Sequence, residues 1–178
     1  MAGDARESYP DETVARLARL YREHPAWCAA AAIVDSRATS GVWFSHRPGE
    51  PWQLCREAEL TILKPGRAPD PDLVFRFTPA AVEVLAQAGD EIGDFAIRLF
   101  ELMIDPDPER HVGFRTAASF ARLLRRGYLR LLVEGGGPRV ALFAAGHGVR
   151  SFGALRRLIA AFTRLGPFDW ESDTEGSR

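Results

Sequence analysis

The sequence predicts an α+β fold, in which a small, mainly antiparallel sheet is covered on one face by helices and followed by extra C-terminal helices. Four short β-prone segments lie close together between residues 41 and 77. Apolar residues at helical spacing precede these segments and resume after residue 78. With 178 residues, of which 46% are hydrophobic, the chain can bury a sizeable core.

The first 40 residues are predicted to form a helical segment. Apolar side chains recur at helical spacing from 14 to 21. The pair His24-Pro25 ends this helix, because the residue before a proline is pushed out of the helical region. The apolar run 26–34 fits either a buried helix or a buried strand, and its alanines favour the helix.

The next part of the chain is predicted to be the sheet. RPGEP and KPGRAPDP are interpreted as turns between strands, since Pro, Gly and Asp break strands. In the last strand Leu73, Phe75 and Phe77 alternate onto one face, whereas Val74 and Arg76 occupy the other. The four predicted strands are GVWFSH (41–46), WQLCRE (52–57), ELTIL (59–63) and DLVFRF (72–77).

Two helices are predicted directly after the sheet. Thr78-Pro79 begins the first, because a threonine cap and a proline in the first turn suit the unpaired amides there. The second runs from Ile92 to Ile104 and is apolar on more than one side. Such a helix needs two partners. One is the sheet, and the other is a ligand, a second subunit or the C-terminal helices.

The remaining elements are predicted to be a brief edge strand at 111–115 and further helices. A third helix begins near Thr116, and the run GGGP at 135–138 breaks the chain. Two more helical stretches are predicted near 139–146 and 152–164.

Arginines are concentrated in the C-terminal third of the chain. Eleven arginines and one acid, Glu134, lie between residues 110 and 164, which leaves 12 basic and 23 acidic residues elsewhere. Together with the predicted elements, this asymmetry divides the chain into an N-terminal helical segment (1–40), a central α+β core (41–126), a basic helical extension (127–165) and an acidic tail (166–178).

The central core contains an ordered set of motifs. A strand with aromatic residues (GVWFSH) leads to a Trp-led strand (WQLCRE), a third strand (ELTIL) and the strand DLVFRFT, which runs into the proline-started helix TPAAVEVLAQ. HVGFRTAASFARLL then supplies a last strand and helix. In this order the segment 41–126 resembles the sterol carrier protein type 2 family of lipid-binding domains. That family usually has a lysine-rich strand where this chain has HVGFRT. The resemblance implies a hydrophobic tunnel between sheet and helices.

Ten apolar side chains are predicted to converge between one sheet face and the helices behind it. The residues alone favour an ordinary packed core, which needs no ligand for stability. The resemblance favours a ligand pocket in the same place. The predicted ligand-binding residues are Leu54, Phe75, Phe77, Phe95, Leu99, Phe100, Met103, Phe114, Phe120 and Leu124.

Six arginines of the C-terminal third are predicted to contact an anionic membrane or an acidic partner. Basic residues opposite an apolar helix face are typical of helices that dock on membrane surfaces. An ordinary solvated helix face is the alternative. The six residues are Arg122, Arg125, Arg126, Arg130, Arg156 and Arg157.

No motif indicates catalysis, a metal or a cofactor. None of the four histidines lies at metal-ligand spacing from another, and Cys28 and Cys55, expected to be free thiols, belong to no CxxC or CxxH pair. A GxSxG nucleophile motif and a phosphate-binding loop are also missing from the sequence. We therefore expect no enzymatic activity and no cofactor.

The predicted partner is a hydrophobic small molecule, namely a lipid, a fatty acid, a sterol-like compound or an isoprenoid, carried to membranes or to partner enzymes. The alternative is a ligand-free interaction or homodimerisation module on the same fold. No nucleic acid is expected, because aromatic residues are not interleaved with the basic cluster. The start of the chain lacks a signal-like pattern and no apolar run approaches the ~18 residues of a membrane span, so we expect a cytoplasmic protein.

Overall fold

The computed structural model describes residues 9–148 together with positions 153 and 157. Over these residues the chain forms helices and one five-stranded sheet, so the predicted α+β class is confirmed. The helices are α1 (Glu12–Glu23), α2 (Pro25–Ile33), α3 (Pro79–Leu85), α4 (Ile92–Ile104), α5 (Phe120–Arg125), α6 (Tyr128–Arg130) and α7 (Gly137–Gly146), with a π-helical turn at Leu131–Gly135. The strands are β1 (Ser40–Phe44), β2 (Arg47–Glu57), β3 (Leu60–Pro65), β4 (Leu73–Phe77) and β5 (Gly113–Thr116).

Two helices precede the sheet. The carboxylate of Asp11 caps α1 by accepting a hydrogen bond from the amide of Val14 (3.0 Å). His24 has an extended backbone and ends the helix, as the His24-Pro25 pair predicts. The apolar run after Pro25 is a helix and not a strand. Val14 and Leu17 are fully buried, so α1 shares one core with the sheet.

The strands lie in the order β3-β2-β1-β4-β5. All neighbouring pairs are antiparallel except β1 and β4, which run parallel with Val42 opposite Phe75. The connection from β3 to β4 therefore carries the chain across the sheet and places the later strands beside the first. The predicted mainly antiparallel sheet is confirmed.

The prediction that RPGEP is a turn is wrong. Residues 47–51 belong to β2, and Ser45 and His46 form the turn between β1 and β2. Three of these residues, 48–50, are exposed. Prolines are tolerated at such a solvent-facing strand end because no hydrogen bond of the sheet is lost there. Strand β3 likewise extends through Pro65 into the second predicted turn.

Both faces of β4 are buried, although the sequence predicts one apolar face. Phe75 and Phe77 lie in the core on the inner face, and Val74 on the outer face is only 1% exposed. The indole of Trp43 lies over Gly41, where a Cβ atom would be 2.7 Å from the ring, and Val74 borders the same point at 3.6 Å. Gly41 thus makes room for the indole, which shields Val74 from water.

Helix α4 has the predicted bounds and, with 13 residues, is the longest helix described. It packs against α2, α3 and α7. No helix in the described part of the chain has both the length and the apolar character required to cross a bilayer.

The helix predicted from Thr116 begins later than expected. Thr116 still belongs to β5, and the side chain of Ser119 caps α5 by accepting from the amide of Arg122 (3.3 Å). Gly127 then ends α5 with φ of +86°. A Cβ atom there would lie 2.9 Å from the carbonyl oxygen of Ile33, so glycine is required for the close approach.

The run GGGP lies between two helical elements, where the sequence predicts a break. Gly135 closes the π-helical turn, and Gly137, with φ of +58°, opens α7, so these glycines redirect the helical path. The helix predicted near 139–146 is confirmed. The stretches 152–164 and 166–178 lie outside the described residues, apart from two single positions.

Asp72 is fully buried before β4 and joins three parts of the chain. Its amide donates to the carbonyl of Thr39 (2.7 Å), and its own carbonyl accepts from the amide of Ala118 (3.1 Å). One carboxylate oxygen accepts from the amide of Thr39 (3.3 Å). The carboxylate lies 2.6 Å from Nε of Arg122 and 3.8 Å from Nε of Arg126. Asp72 thus holds together the start of β1, the start of β4 and α5.

The two arginines beside Asp72 each bind a second acid. Arg122 also pairs with Asp70, and Nη1 of Arg126 lies 3.2 Å from a carboxylate oxygen of Asp35. The Nε–H of Arg122 is poorly aligned with the nearer Asp72 oxygen, so this contact is an ion pair rather than a directed hydrogen bond. The five side chains form one network, which we call the Asp72 cluster.

Asp70 and Asp72 offer a matched test of this cluster, because both bind Arg122 but their side chains are 77% and 0% exposed. Asp72→Asn is expected to lower the free energy of unfolding by about 3 kcal/mol, since it removes the buried negative charge that lies beside both arginines. Asp70→Asn removes an exposed ion pair and is expected to cost less than about 1 kcal/mol. Urea denaturation measures both values, and equal losses would contradict the role given to burial.

Candidate functional site

A partly enclosed cavity of about 370 Å³ lies between the inner face of the sheet and the helices. Its walls come from the strands, from α2 and α4, and from the segment α5–α7. They are almost entirely apolar. The protein's own side chains therefore do not fill the space between sheet and helices.

Seven of the ten residues predicted to bind a ligand line this cavity. They come from β2, β4, α4 and β5, and aromatic rings are frequent among them. The rings of Phe75 and Phe114 lie 5.3 Å apart on neighbouring strands. The seven residues are Leu54, Phe75, Phe95, Leu99, Phe100, Met103 and Phe114.

The other three predicted residues do not line the cavity. Phe77 is 1% exposed in the core, where its ring stacks 5.7 Å from that of Phe75. Phe120 and Leu124 share a face of α5 that points away from the cavity, and Leu124 is 39% exposed. Leu123, on the face turned inward, lines the cavity instead.

Helix α2 forms a wall that the sequence prediction missed. Ala26, Ala30 and Ala31 line the cavity together with Trp27. The indole of Trp27 meets the ring of Phe95 edge to face at 4.8 Å. Small side chains on a helix that faces an aromatic helix leave unfilled space, and the alanine run was the signal available in the sequence.

The second apolar side of α4 is covered within the chain by α7. The rings of Phe100 and Phe143 meet edge to face at 5.5 Å. A Cβ atom on Gly93 would lie 3.1 Å from the carbonyl oxygen of Gly136, so the two backbones approach closely. Of the partners considered for this side of α4, the C-terminal helices are the one that the structure places there.

A short polar margin borders the apolar walls. Ser40, Thr116 and Tyr128 lie there, beside the Asp72 cluster. Burial raises the pKa of the Tyr128 phenol, and the negative charge of Asp72 raises it further, whereas a hydrogen bond with Ser40 acts in the opposite direction. Tyr128 is therefore a neutral phenol at physiological pH.

Two further side chains at this margin are charged. Asp35 and Arg56 both line the cavity. Hydrogen bonds from the side chain and the amide of Arg37 hold the pKa of Asp35 well below its usual range. Cys28 and Cys55 are free thiols, as predicted, and burial raises the pKa of Cys55.

Three of the arginines predicted to contact a membrane or partner are held in ion pairs. Arg122 and Arg126 belong to the Asp72 cluster, and Arg130 pairs with Glu134 at 2.8 Å. Arg125 is exposed and makes no ion pair with the described residues, and Arg157 is exposed. Arg156 lies outside the described residues. Membrane or partner contact by these arginines stays a prediction.

No protein-family model, curated protein or solved structure matches this chain. Within the described residues, no group of three or more His, Cys, Asp or Glu side chains is placed to bind a metal ion. The resemblance to sterol carrier protein type 2 stays a prediction.

The buried phenols predict how stability depends on alkaline pH. Tyr21 and Tyr128 have raised pKa values in the folded protein, so their contribution is complete below about pH 10, the usual pKa of the unfolded chain, and is lost as the pH rises from there through the raised pKa of the folded protein. The free energy of unfolding should then fall by up to about 1.4 kcal/mol per pH unit for each phenol. Tyr128→Phe is expected to halve this slope, as measured by urea denaturation at several pH values. Identical slopes would contradict the burial of Tyr128.

Proposed function

We propose that this protein binds a lipid or another hydrophobic small molecule in the cavity between sheet and helices. The observation that carries the proposal is an unfilled apolar volume of about 370 Å³ in an otherwise buried core. Ligand pockets in proteins range from ~300 to ~1,000 Å³ and are mostly apolar with a few polar groups. Protein interiors are otherwise closely packed, so an unfilled space of this size is unusual for a core that serves stability alone.

The cavity also limits the size of the ligand. Its volume is near the lower end of the range for ligand pockets. One acyl chain, an isoprenoid tail or one compact ring system suits such a space better than a lipid with two chains. The resemblance of 41–126 to sterol carrier protein type 2 supports the same proposal, because that family is expected to hold lipid between sheet and helices.

The chemistry of the walls supports binding rather than catalysis. Tyr128 is a neutral phenol, Asp35 is already bound by arginines, and burial disfavours the thiolate of Cys55. We propose that the protein holds its ligand and presents it to a membrane or to an enzyme. No covalent step is part of this proposal.

A ligand-free interaction module is the second candidate. Val133 and Leu142, on the π-helical turn and α7, are 69% and 74% exposed. Two large apolar side chains in water favour a protein partner or a second copy of the chain. Sedimentation velocity distinguishes the candidates, since a tight dimer without bound lipid supports the interaction module.

Native mass spectrometry of protein purified from cells tests the ligand directly. A lipid carrier is expected to show extra mass that organic extraction removes. After extraction, the neutral dye Nile red should bind with one site per chain and be displaced by fatty acids or prenylated quinone precursors. Spectra without bound lipid, together with no Nile red binding, would refute the proposed function.

Neighbouring alanines of α2 provide a matched pair of variants. Ala31 lines the cavity, whereas Ala32 is exposed. Ala31→Phe places a ring in the cavity and is expected to weaken Nile red binding about tenfold or more without loss of stability, because the ring fills existing space. Ala32→Phe should leave the affinity unchanged. Equal effects of the two substitutions would mean that the dye binds elsewhere.

A further inference from the structure

Arg56 is the one positively charged side chain on the cavity wall in the described part of the chain. It extends from β2 and its side chain is 18% exposed. Its Nη1 donates to the carbonyl oxygen of Ala31 in the last turn of α2 (2.8 Å). This contact satisfies a carbonyl that the helix leaves unpaired, and it fixes the guanidinium at the margin of the cavity.

The acid that pairs with Arg56 is held loosely. Nη2 of Arg56 lies 3.1 Å from Glu59, whose side chain is 93% exposed. Such a pair contributes little, because water solvates Glu59 well and its side chain loses entropy on pairing. A ligand anion that approaches from the cavity can therefore replace Glu59.

The guanidinium also retains unused donors. It carries five N–H groups, and its Nε–H is buried with no hydrogen-bond partner among the described residues. The indole Nε1–H of Trp27, on the wall formed by α2, is also buried with no hydrogen-bond partner among the described residues. Thr61, opposite Arg56 on β3, adds a hydroxyl to the margin. Unpaired buried donors favour a ligand that brings oxygen acceptors.

Asp35 is the one acid on the cavity wall in the described part of the chain, and its charge is already paired within the protein. Asp35 accepts from Nη2 of Arg37 at 2.9 Å and from Nη1 of Arg126 at 3.2 Å. Its negative charge is thus already paired by two arginines. The charge on the cavity wall that can exchange its partner is the positive charge of Arg56.

We propose that the ligand is a single-chain anionic amphiphile, whose carboxylate or phosphate head binds Arg56 in place of Glu59 while its chain occupies the apolar cavity. This inference rests on the proposed function and adds the chemistry of the head. A planar guanidinium binds such oxyanions through two parallel hydrogen bonds, which a single hydroxyl cannot match.

Three ligands with the same alkyl chain test the inference. Hexadecanoate, hexadecyl phosphate and hexadecanol compete with Nile red at neutral pH. The wild-type protein is expected to bind one or both anions about tenfold or more tightly than the alcohol. The anion that binds more tightly identifies the head. Equal affinities for both anions and the alcohol would overturn the inference.

Substitutions at Arg56 and Glu59 test whether these residues cause the preference for the anions over hexadecanol. Arg56→Gln is expected to abolish the preference by weakening the two anions about tenfold or more, whereas hexadecanol and Nile red should be weakened much less. Arg98→Gln is the control, because Arg98 is exposed on α4, pairs with Glu101 and does not line the cavity. A preference that survives in Arg56→Gln, or that is lost in Arg98→Gln, would overturn the inference.

Glu59→Gln gives an independent measurement if Arg56→Gln does not fold. Removing the exposed competitor should tighten anion binding about two- to threefold and leave hexadecanol unchanged. Unchanged anion affinity would contradict the displacement of Glu59. Failure of the proposed function has a different signature, because the wild-type protein would then bind neither Nile red nor any of the three ligands.

Discussion

The carboxylate of Asp72 is buried without solvent, and the positive charges of Arg122 and Arg126 beside it offset the cost of that burial. Both arginines belong to the α5 region, which follows β5, and Asp72 precedes β4. The ion pairs therefore fix α5 against the start of β4, and the pairing of Arg126 with Asp35 fixes the segment after α2 at the same place. Apolar residues of equal volume could match the stability of such a cluster. What the charges add is a defined position for the C-terminal helices.

The cavity follows from that position. α5 and α6 are held at one end of the sheet. α4 is held in place by its packing against α2, α3 and α7. The side chains that α2 presents to α4 are Trp27 and small alanines, and the alanines are too short to fill the gap to the rings of α4. A close-packed interior would favour larger residues there. The Asp72 cluster fixes one of these walls, the α5 region, against the start of β4.

Patterns within a single helix or strand of this sequence predict its structure, whereas contacts between distant residues are not marked in the sequence. Helical periodicity predicted α4, and five of the seven predicted residues that line the cavity follow from alternation in β4 and spacing in α4. The other two, Leu54 and Phe114, lie on β2 and β5. The start of α5 was misplaced because Thr116 still pairs in the sheet. Which of the apolar residues of α5 faces the cavity depends on how the helix packs, and Leu123 lines it where Phe120 and Leu124 were predicted. The pairing of Arg122 with Asp70 and Asp72 could not be predicted, since nothing local marks which acid a distant arginine will meet.

The Asp72 cluster and the cavity share a border, and this makes them depend on one another. Ser40 and Tyr128 line the cavity on one side and contact each other beside Asp72 on the other. An ion pair is stronger where water is excluded, because the local dielectric constant is lower. Water in the cavity would reach Tyr128 and weaken the attraction between Asp72 and its arginines, whereas an apolar ligand would keep that region dry. A ligand that binds only the folded chain also stabilises it by mass action. The first effect is local to the α5–α6 region, which supplies part of the cavity wall and the cations of the cluster, whereas the second acts on the whole folded chain.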